Sequence, residues 1–151
     1  MALHAQLGEL INRVLPVVQH FHDKGMLAPH AATIDKTGEL SGRALTTDGT
    51  EELSVSQAIE HFESTFAQLA AVGSIQASGI FYHSSGVDLS SGTVALPPAN
   101  NTDECRALVA LLEHTSGESV YLLVPYTGQA PSIEYAMGKL IEKPSKAFAT
   151  V

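Results

Sequence analysis

The stretch from Cys105 to Tyr126 constrains the fold more than any other part of the chain, because its apolar residues fall on both faces of a predicted β-hairpin. A helical period also fits its first half, but the β-branched and aromatic run Val120–Val124 favours strands. Pairing His114 with Glu118 across a Ser-Gly turn stacks three apolar pairs on one face: Leu112 with Val120, Ala110 with Leu122, and Leu108 with Val124. The opposite face gathers Val109, Leu111, Tyr121 and Leu123.

Such a hairpin needs cover on both sides. Left in water, the second face would form a contiguous apolar patch of the kind that marks an interaction surface. A helix of the same chain, the C-terminal segment or another protomer could provide the cover. We therefore predict a two-fold homodimer as one of these solutions, with a candidate interface made of Val109, Leu111, Tyr121 and Leu123.

Two amphipathic helices are predicted elsewhere in the chain. From Leu3 to Phe21 the apolar residues follow the helical period, with Lys24-Gly25 as the end of the helix. Pro16 removes a backbone donor, so a kink or two abutting helical pieces are expected. Ser54 and Gln57 form a capping-box signature ahead of the second helix, which is expected to end near Gly73.

The remaining pattern predicts strands and one long loop. Pro29–Asp35 and Leu40–Thr47 alternate around Lys36-Thr37-Gly38, which is typical of a hairpin. Ile75–Tyr82 is a predicted strand, and His83–Glu104 a predicted loop, with Val87–Leu89 or Thr93–Leu96 as alternative sheet extensions. Ile133–Ile141 fits a strand or a helix, and Gly138 tips the balance toward a strand.

Taken together, these elements predict a single α+β domain over residues 1–151. Its sheet is mostly antiparallel with five or six strands, and two main helices accompany it. The order is α-β-β-α-β-β-β followed by β or α. A chain of 151 residues can bury a core without a metal or a disulfide.

The distribution of charge argues against nucleic-acid and membrane partners. The net charge is −8, and no Lys or Arg occurs between Arg43 and Arg106. Eight acidic residues fall in that interval: Asp48, Glu51, Glu52, Glu60, Glu63, Asp88, Asp103 and Glu104. This surface would repel phosphate backbones and anionic lipid. The acidic interval between Arg43 and Arg106 leaves one further hypothesis open, in which the chain binds and regulates a partner by acidic mimicry.

The cysteine count and the N-terminal segment predict a cytoplasmic location. The single cysteine, Cys105, cannot form an intramolecular disulfide. Charged residues and histidines interrupt the apolar pattern of Met1–Gly25, which is unlike a signal-peptide core or a membrane span.

Histidines and strand-end aromatics are the candidate functional residues. The seven histidines lack metal-ligand spacing, so neither a metal nor a cofactor is predicted. Glu113 and His114 are strand neighbours that face opposite sides, so they form an acid–base pair only with help from a third residue. No catalytic grouping is recognised, which favours a non-enzyme. The candidate ligand-binding residues are Tyr82, His83, Glu113 and Tyr126.

Two resemblances extend this interpretation. Ala31–Asp35 followed by Gly38-Glu39, and Leu112–His114 followed by Gly117-Glu118 and Pro125-Tyr126, resemble an uncharacterised group of bacterial proteins with no established activity. The element order is similar to that of roadblock and other profilin-like domains, and this likeness implies dimeric scaffolds or sensors. Resemblance in fold does not imply function.

The function expected from the sequence is a small cytoplasmic interaction or assembly module that self-associates through its sheet. The alternative is a small-molecule-binding domain, or a minor enzyme, with a pocket near Tyr82, His83 and Tyr126.

Overall fold

A computed structural model describes residues 4–24, 29–43, 55–88, 93–94, 105–127, 133–135 and 138–142. Its helices are α1 (Ala5–Asp23) and α2 (Val55–Ala71). Its strands are β1 (His30–Asp35), β2 (Leu40–Arg43), β3 (Ile75–Asp88), β4 (Thr93–Val94), β5 (Cys105–His114), β6 (Ser119–Thr127), β7 (Glu134–Tyr135) and β8 (Lys139–Glu142). The α+β class, the antiparallel sheet and the predicted element order are confirmed.

The sheet runs in the order β2-β1-β3-β5-β6, and β7 and β8 both pair with β6. Both predicted hairpins are confirmed in their predicted registers, with Ile34 opposite Leu40 in the first and Leu111 opposite Tyr121 in the second. The two turns close identically, since Asp35 N–H donates to Glu39 O and His114 N–H donates to Glu118 O. Gly38 and Gly117 hold φ of +88° and +97°, which explains the glycine in each turn.

The strand content exceeds the prediction at two places. Strand β3 continues past Tyr82 to Asp88, so the predicted loop is wrong over His83–Gly86. The alternative extensions of the sheet are right at Val87-Asp88 and at Thr93-Val94, and the rest of the predicted loop lies outside the described residues. Strand β4 pairs with the end of β3. The C-terminal segment forms two short strands, in line with the favoured strand interpretation of Ile133–Ile141.

Helix α1 passes through Pro16 without ending, so the alternative of two helical pieces is wrong. Pro16 is exposed, and so is Asn12, whose carbonyl loses its usual intrahelical donor. Because that carbonyl lies on the solvent-exposed face of the helix, a water molecule can donate the hydrogen bond that Pro16 cannot. The buried stripe of Leu7, Leu10 and Val18 lies on the other face and is uninterrupted.

The sheet lies between the two helices, and each helix covers one face. On one face α1 packs over a core that includes Phe81, Leu108 and Leu112. On the other, α2 contributes Ile59, Phe62, Phe66 and Ala70 to a second core with Tyr82. Because strand residues alternate, β3 and β5 supply side chains to both cores.

This arrangement corrects the predicted self-association surface. Val109, Leu111 and Leu123 are at most 4% exposed and belong to the core beneath α2, with Tyr121 packed at its margin. The hairpin is apolar on both faces as predicted, but the cover comes from the same chain. A fully buried Val or Leu side chain is worth roughly 1.5–3 kcal/mol, so this intramolecular cover is stabilising without a second protomer.

Gly79 of β3 leaves little room for a side chain in the core beneath α1. A Cβ built there would lie 3.1 Å from Phe81 Cε1, 3.2 Å from Leu112 Cδ2 and 3.6 Å from Leu10 Cδ1. A larger side chain would therefore push α1 away from its core.

Gly79→Val is expected to lower the free energy of unfolding by about 1–3 kcal/mol through overpacking. The matched control is Gly8→Ala on α1, where a Cβ meets nothing within 4 Å and helix propensity improves by about 1 kcal/mol. Urea denaturation followed by circular dichroism measures both. Equal stability of the Gly79→Val variant and the parent would contradict the packing at this position.

Candidate functional site

Imidazole and phenol rings converge where the C-terminal end of α1 meets the middle of β3 and the end of β6. We call His22, His83, Tyr126 and Tyr135 the imidazole–tyrosine cluster. The His22 ring centroid lies 4.1 Å from that of His83 and 4.5 Å from that of Tyr126. His22 Nδ1 lies 2.7 Å from the Tyr135 hydroxyl, a hydrogen-bond distance. Elements that are remote in sequence thus meet in one site.

His83 is a buried polar member of this cluster. It is 8% exposed, and neither ring nitrogen has a hydrogen-bond partner among the residues that the structure describes. Burial, followed by the neighbouring His22 and His30, lowers the pKa of His83 to about 3. The ring is therefore neutral at physiological pH and offers one donor nitrogen and one acceptor nitrogen. A buried imidazole without partners is costly unless a ligand or water satisfies it.

An apolar groove lies between α1 and the β1–β2 hairpin, and of its lining residues His30 neighbours the cluster. Its volume is about 350 Å³, within the range of small-molecule pockets. It is lined by Arg13, Val14, Val17, His30, Ala31, Ala32, Leu40 and Gly42. His30 stacks on Phe21 at 5.2 Å and contributes to the lowered pKa of His83, so it connects the groove to the cluster.

The structure brings together two of the four predicted ligand-binding residues. The His83 and Tyr126 ring centroids lie 5.9 Å apart. Tyr82 lies on the opposite face of β3, in the core beneath α2. Glu113 is buried at the other end of β5, opposite Ser78 and Ser119. The predicted pocket near Tyr82, His83 and Tyr126 is therefore wrong in including Tyr82, because strand alternation places Tyr82 and His83 on opposite faces. Glu113 is separated from both by the length of the strand.

Sequence reasoning missed His22 and Tyr135 as members of the site. In the sequence, His22 stands out only by lying two positions from His20 within a predicted helix. The burial pattern of α1 places His22 with Leu7, Leu10 and Val18, a signal that the helical period contained. Tyr135 gave no such signal, because its hydrogen bond to His22 spans 113 positions.

Other features of known sites were sought in the described residues. In that part of the chain, no group of three or more His, Cys, Asp or Glu side chains is placed to hold a metal ion. Neither described helix is long and apolar enough to cross a bilayer. No protein-family model, curated protein or solved structure matches this chain. The resemblances drawn from the sequence therefore remain hypotheses, and the geometry alone carries the functional argument.

Two tyrosine-to-phenylalanine variants distinguish a tyrosine of the core from a tyrosine of the imidazole–tyrosine cluster. The Tyr82 hydroxyl is fully buried with no hydrogen-bond partner in the described ranges, and burial raises its pKa well above the ordinary value. Tyr82→Phe is thus expected to keep or increase the free energy of unfolding. Tyr135→Phe loses the bond to His22 and is expected to cost about 1 kcal/mol. Denaturant titrations would decide, and a destabilised Tyr82→Phe variant would contradict the assignment of Tyr82 to the core.

Acid is expected to destabilise the protein through His83. Its pKa is below the unfolded value near 6.5, so the folded state binds fewer protons. The stabilisation is complete above pH 6.5 and is lost as the pH falls toward about 3, by at most about 1.4 kcal/mol per pH unit. Between pH 7 and 5, the free energy of unfolding of the His83→Leu variant should fall less than that of the parent. The His61→Leu variant changes an exposed histidine of α2, and its free energy of unfolding should depend on pH as that of the parent does. The same pH dependence in all three proteins would refute the role of His83.

Proposed function

We propose that this chain is a small-molecule-binding domain whose ligand occupies the groove beside α1 and reaches the imidazole–tyrosine cluster. The observation that carries the proposal is the buried His83 ring, with both nitrogens lacking partners in the described chain. Buried polar groups in native proteins are nearly always satisfied, so a ligand or water is expected to complete this ring.

The chemistry of the site favours an uncharged ligand with a hydrogen-bonding head and an apolar, preferably aromatic, body. The neutral His83 ring can donate one hydrogen bond from one nitrogen and accept one at the other. The neighbouring Tyr126 ring stands edge-on to His22 and supports a planar partner. A charged head at this depth would lose its hydration without a counter-ion in the cluster itself.

Arg13 does not change this preference for uncharged ligands. Its guanidinium lies at the groove, but it pairs with Glu9 at 3.2 Å, and its side chain is 59% exposed. An exposed ion pair of this kind binds an anion weakly, because water competes for both partners. Val14, Val17 and Leu40 instead provide the apolar wall for the body of the ligand.

Benzamide and benzoate provide a matched pair of probes, since they share a ring and differ in the charge of the head. Benzamide is expected to bind at pH 7.5 and benzoate to bind at least about tenfold more weakly, because the neutral site offers the carboxylate no counter-ion. Saturation-transfer NMR detects binding, and amide shifts at residues 82–84 and 30–32 locate it. His83→Leu should abolish the benzamide signal.

The control for this experiment is His61→Leu, which changes an exposed histidine outside the site and should leave benzamide binding unchanged. Equal binding of both probes, or full binding by the His83→Leu variant, would contradict the proposed site. Failure of the two probes and of a wider set of neutral aromatic fragments would contradict the proposed function.

Self-association and a cytoplasmic location stay predictions. A two-fold dimer cannot use Val109, Leu111 and Leu123 in this fold, because α2 already buries them. The single cysteine supports a reducing compartment.

A further inference from the structure

The two hairpin turns share one backbone design but use different side chains to hold it. In the β1–β2 turn, Asp35 Oδ1 accepts hydrogen bonds from Thr37 N–H at 2.8 Å and Glu39 N–H at 3.0 Å. In the β5–β6 turn, His114 Nδ1 accepts from Ser116 N–H at 2.9 Å. An imidazole nitrogen therefore does in the second turn what a carboxylate does in the first. Only the imidazole gains a proton near neutral pH.

The N-terminus of α1 uses a second imidazole in the same way. His4 is the N-cap, and its Nδ1 accepts from Gln6 N–H at 3.1 Å. The His4 and His114 rings stack with their centroids 3.6 Å apart. His114 Nε2 lies 2.7 Å from Gln6 Oε1, which fixes the tautomer with the proton on Nε2. Both rings must be unprotonated at Nδ1 to make these contacts.

We propose that the stacked His4 and His114 rings form a proton-sensitive latch, which fastens the start of α1 to the β5–β6 turn and opens in acid. A proton on either Nδ1 removes a backbone hydrogen bond. Protons on both place two cations in van der Waals contact. Opening frees the first turns of α1 and uncovers the core beneath Leu7 and Leu10.

The charged and polar groups around the two rings decide whether acid or base weakens the latch. Among described residues, Glu118 is the charged group at the turn, and its carboxylate accepts from His4 N–H at 3.1 Å. Gln6 of α1 and Gln76 of β3 are neutral and bond to each other at 3.0 Å. Burial and then His4 lower the pKa of His114, and Glu118 opposes them. The contribution of His114 to the latch is thus complete above pH 6.5 and is lost as the pH falls below it.

Hydrogen exchange with mass spectrometry tests the latch on the full chain. After correction for intrinsic rates, peptides from the first two turns of α1 should exchange severalfold faster at pH 5.0 than at pH 7.5. Peptides from α2 and from the Asp35 turn serve as internal references and should change less. A parallel rise in α2 would show global unfolding and overturn the proposal.

A non-titrating latch supplies the decisive comparison. In His4→Asn/His114→Asn, the amide oxygens can still cap α1 and accept from the turn, because Asn suits both positions. The α1 peptides of this variant should show no extra exchange in acid, whatever their protection at pH 7.5. His61→Asn should respond like the parent. A double variant with the parental pH response, or an NMR titration giving His114 a pKa at or above 6.5, would overturn the latch.

Discussion

The molecule depends on burying both faces of strands β5 and β6 at once. A strand pair with one wet face needs a single helix, but this pair carries Leu and Val on each side and needs two. Helix α1 and helix α2 meet that need from opposite sides, so the sheet becomes the middle layer of three. This three-layer arrangement fixes the positions of the side chains on the neighbouring strands and of helix α1. Alternate residues of β3 and β5 belong to opposite cores. Helix α1 is held at both ends, by the β5–β6 turn at its start and by the Tyr126 end of β6 at its finish.

Local patterns were enough to predict the parts of the fold that depend on near neighbours. The registers of both hairpins follow from turn chemistry, because the positive φ of Gly38 and Gly117 fixes the length of each turn and so the residue pair that closes it. The long β3 was harder. Ser84, Ser85 and Gly86 have loop composition, yet the strand continues through them, because Ser84 and Val87 both pair with β5 and the two residues between them form an irregularity in the ladder.

The candidate site was only half visible in the sequence for the same reason. Tyr82 and His83 adjoin in the chain but face opposite sides of β3, so sequence neighbourhood suggests one site where strand alternation gives two. The side of the sheet that each helix covers is a choice between two faces of similar apolarity. No local pattern decides it, and the meeting of His22 with Tyr135 depends on that choice.

The division of the sheet into two cores also divides the chromophores. The chain has no tryptophan and four tyrosines, so its near-ultraviolet signal comes chiefly from tyrosine. Tyr82 and Tyr121 lie on the α2 side, whereas Tyr126 and Tyr135 lie on the α1 side. Each half of the protein therefore contains its own pair of intrinsic optical reporters. Replacing one pair by phenylalanine would leave the other pair to report on its own layer without an attached dye.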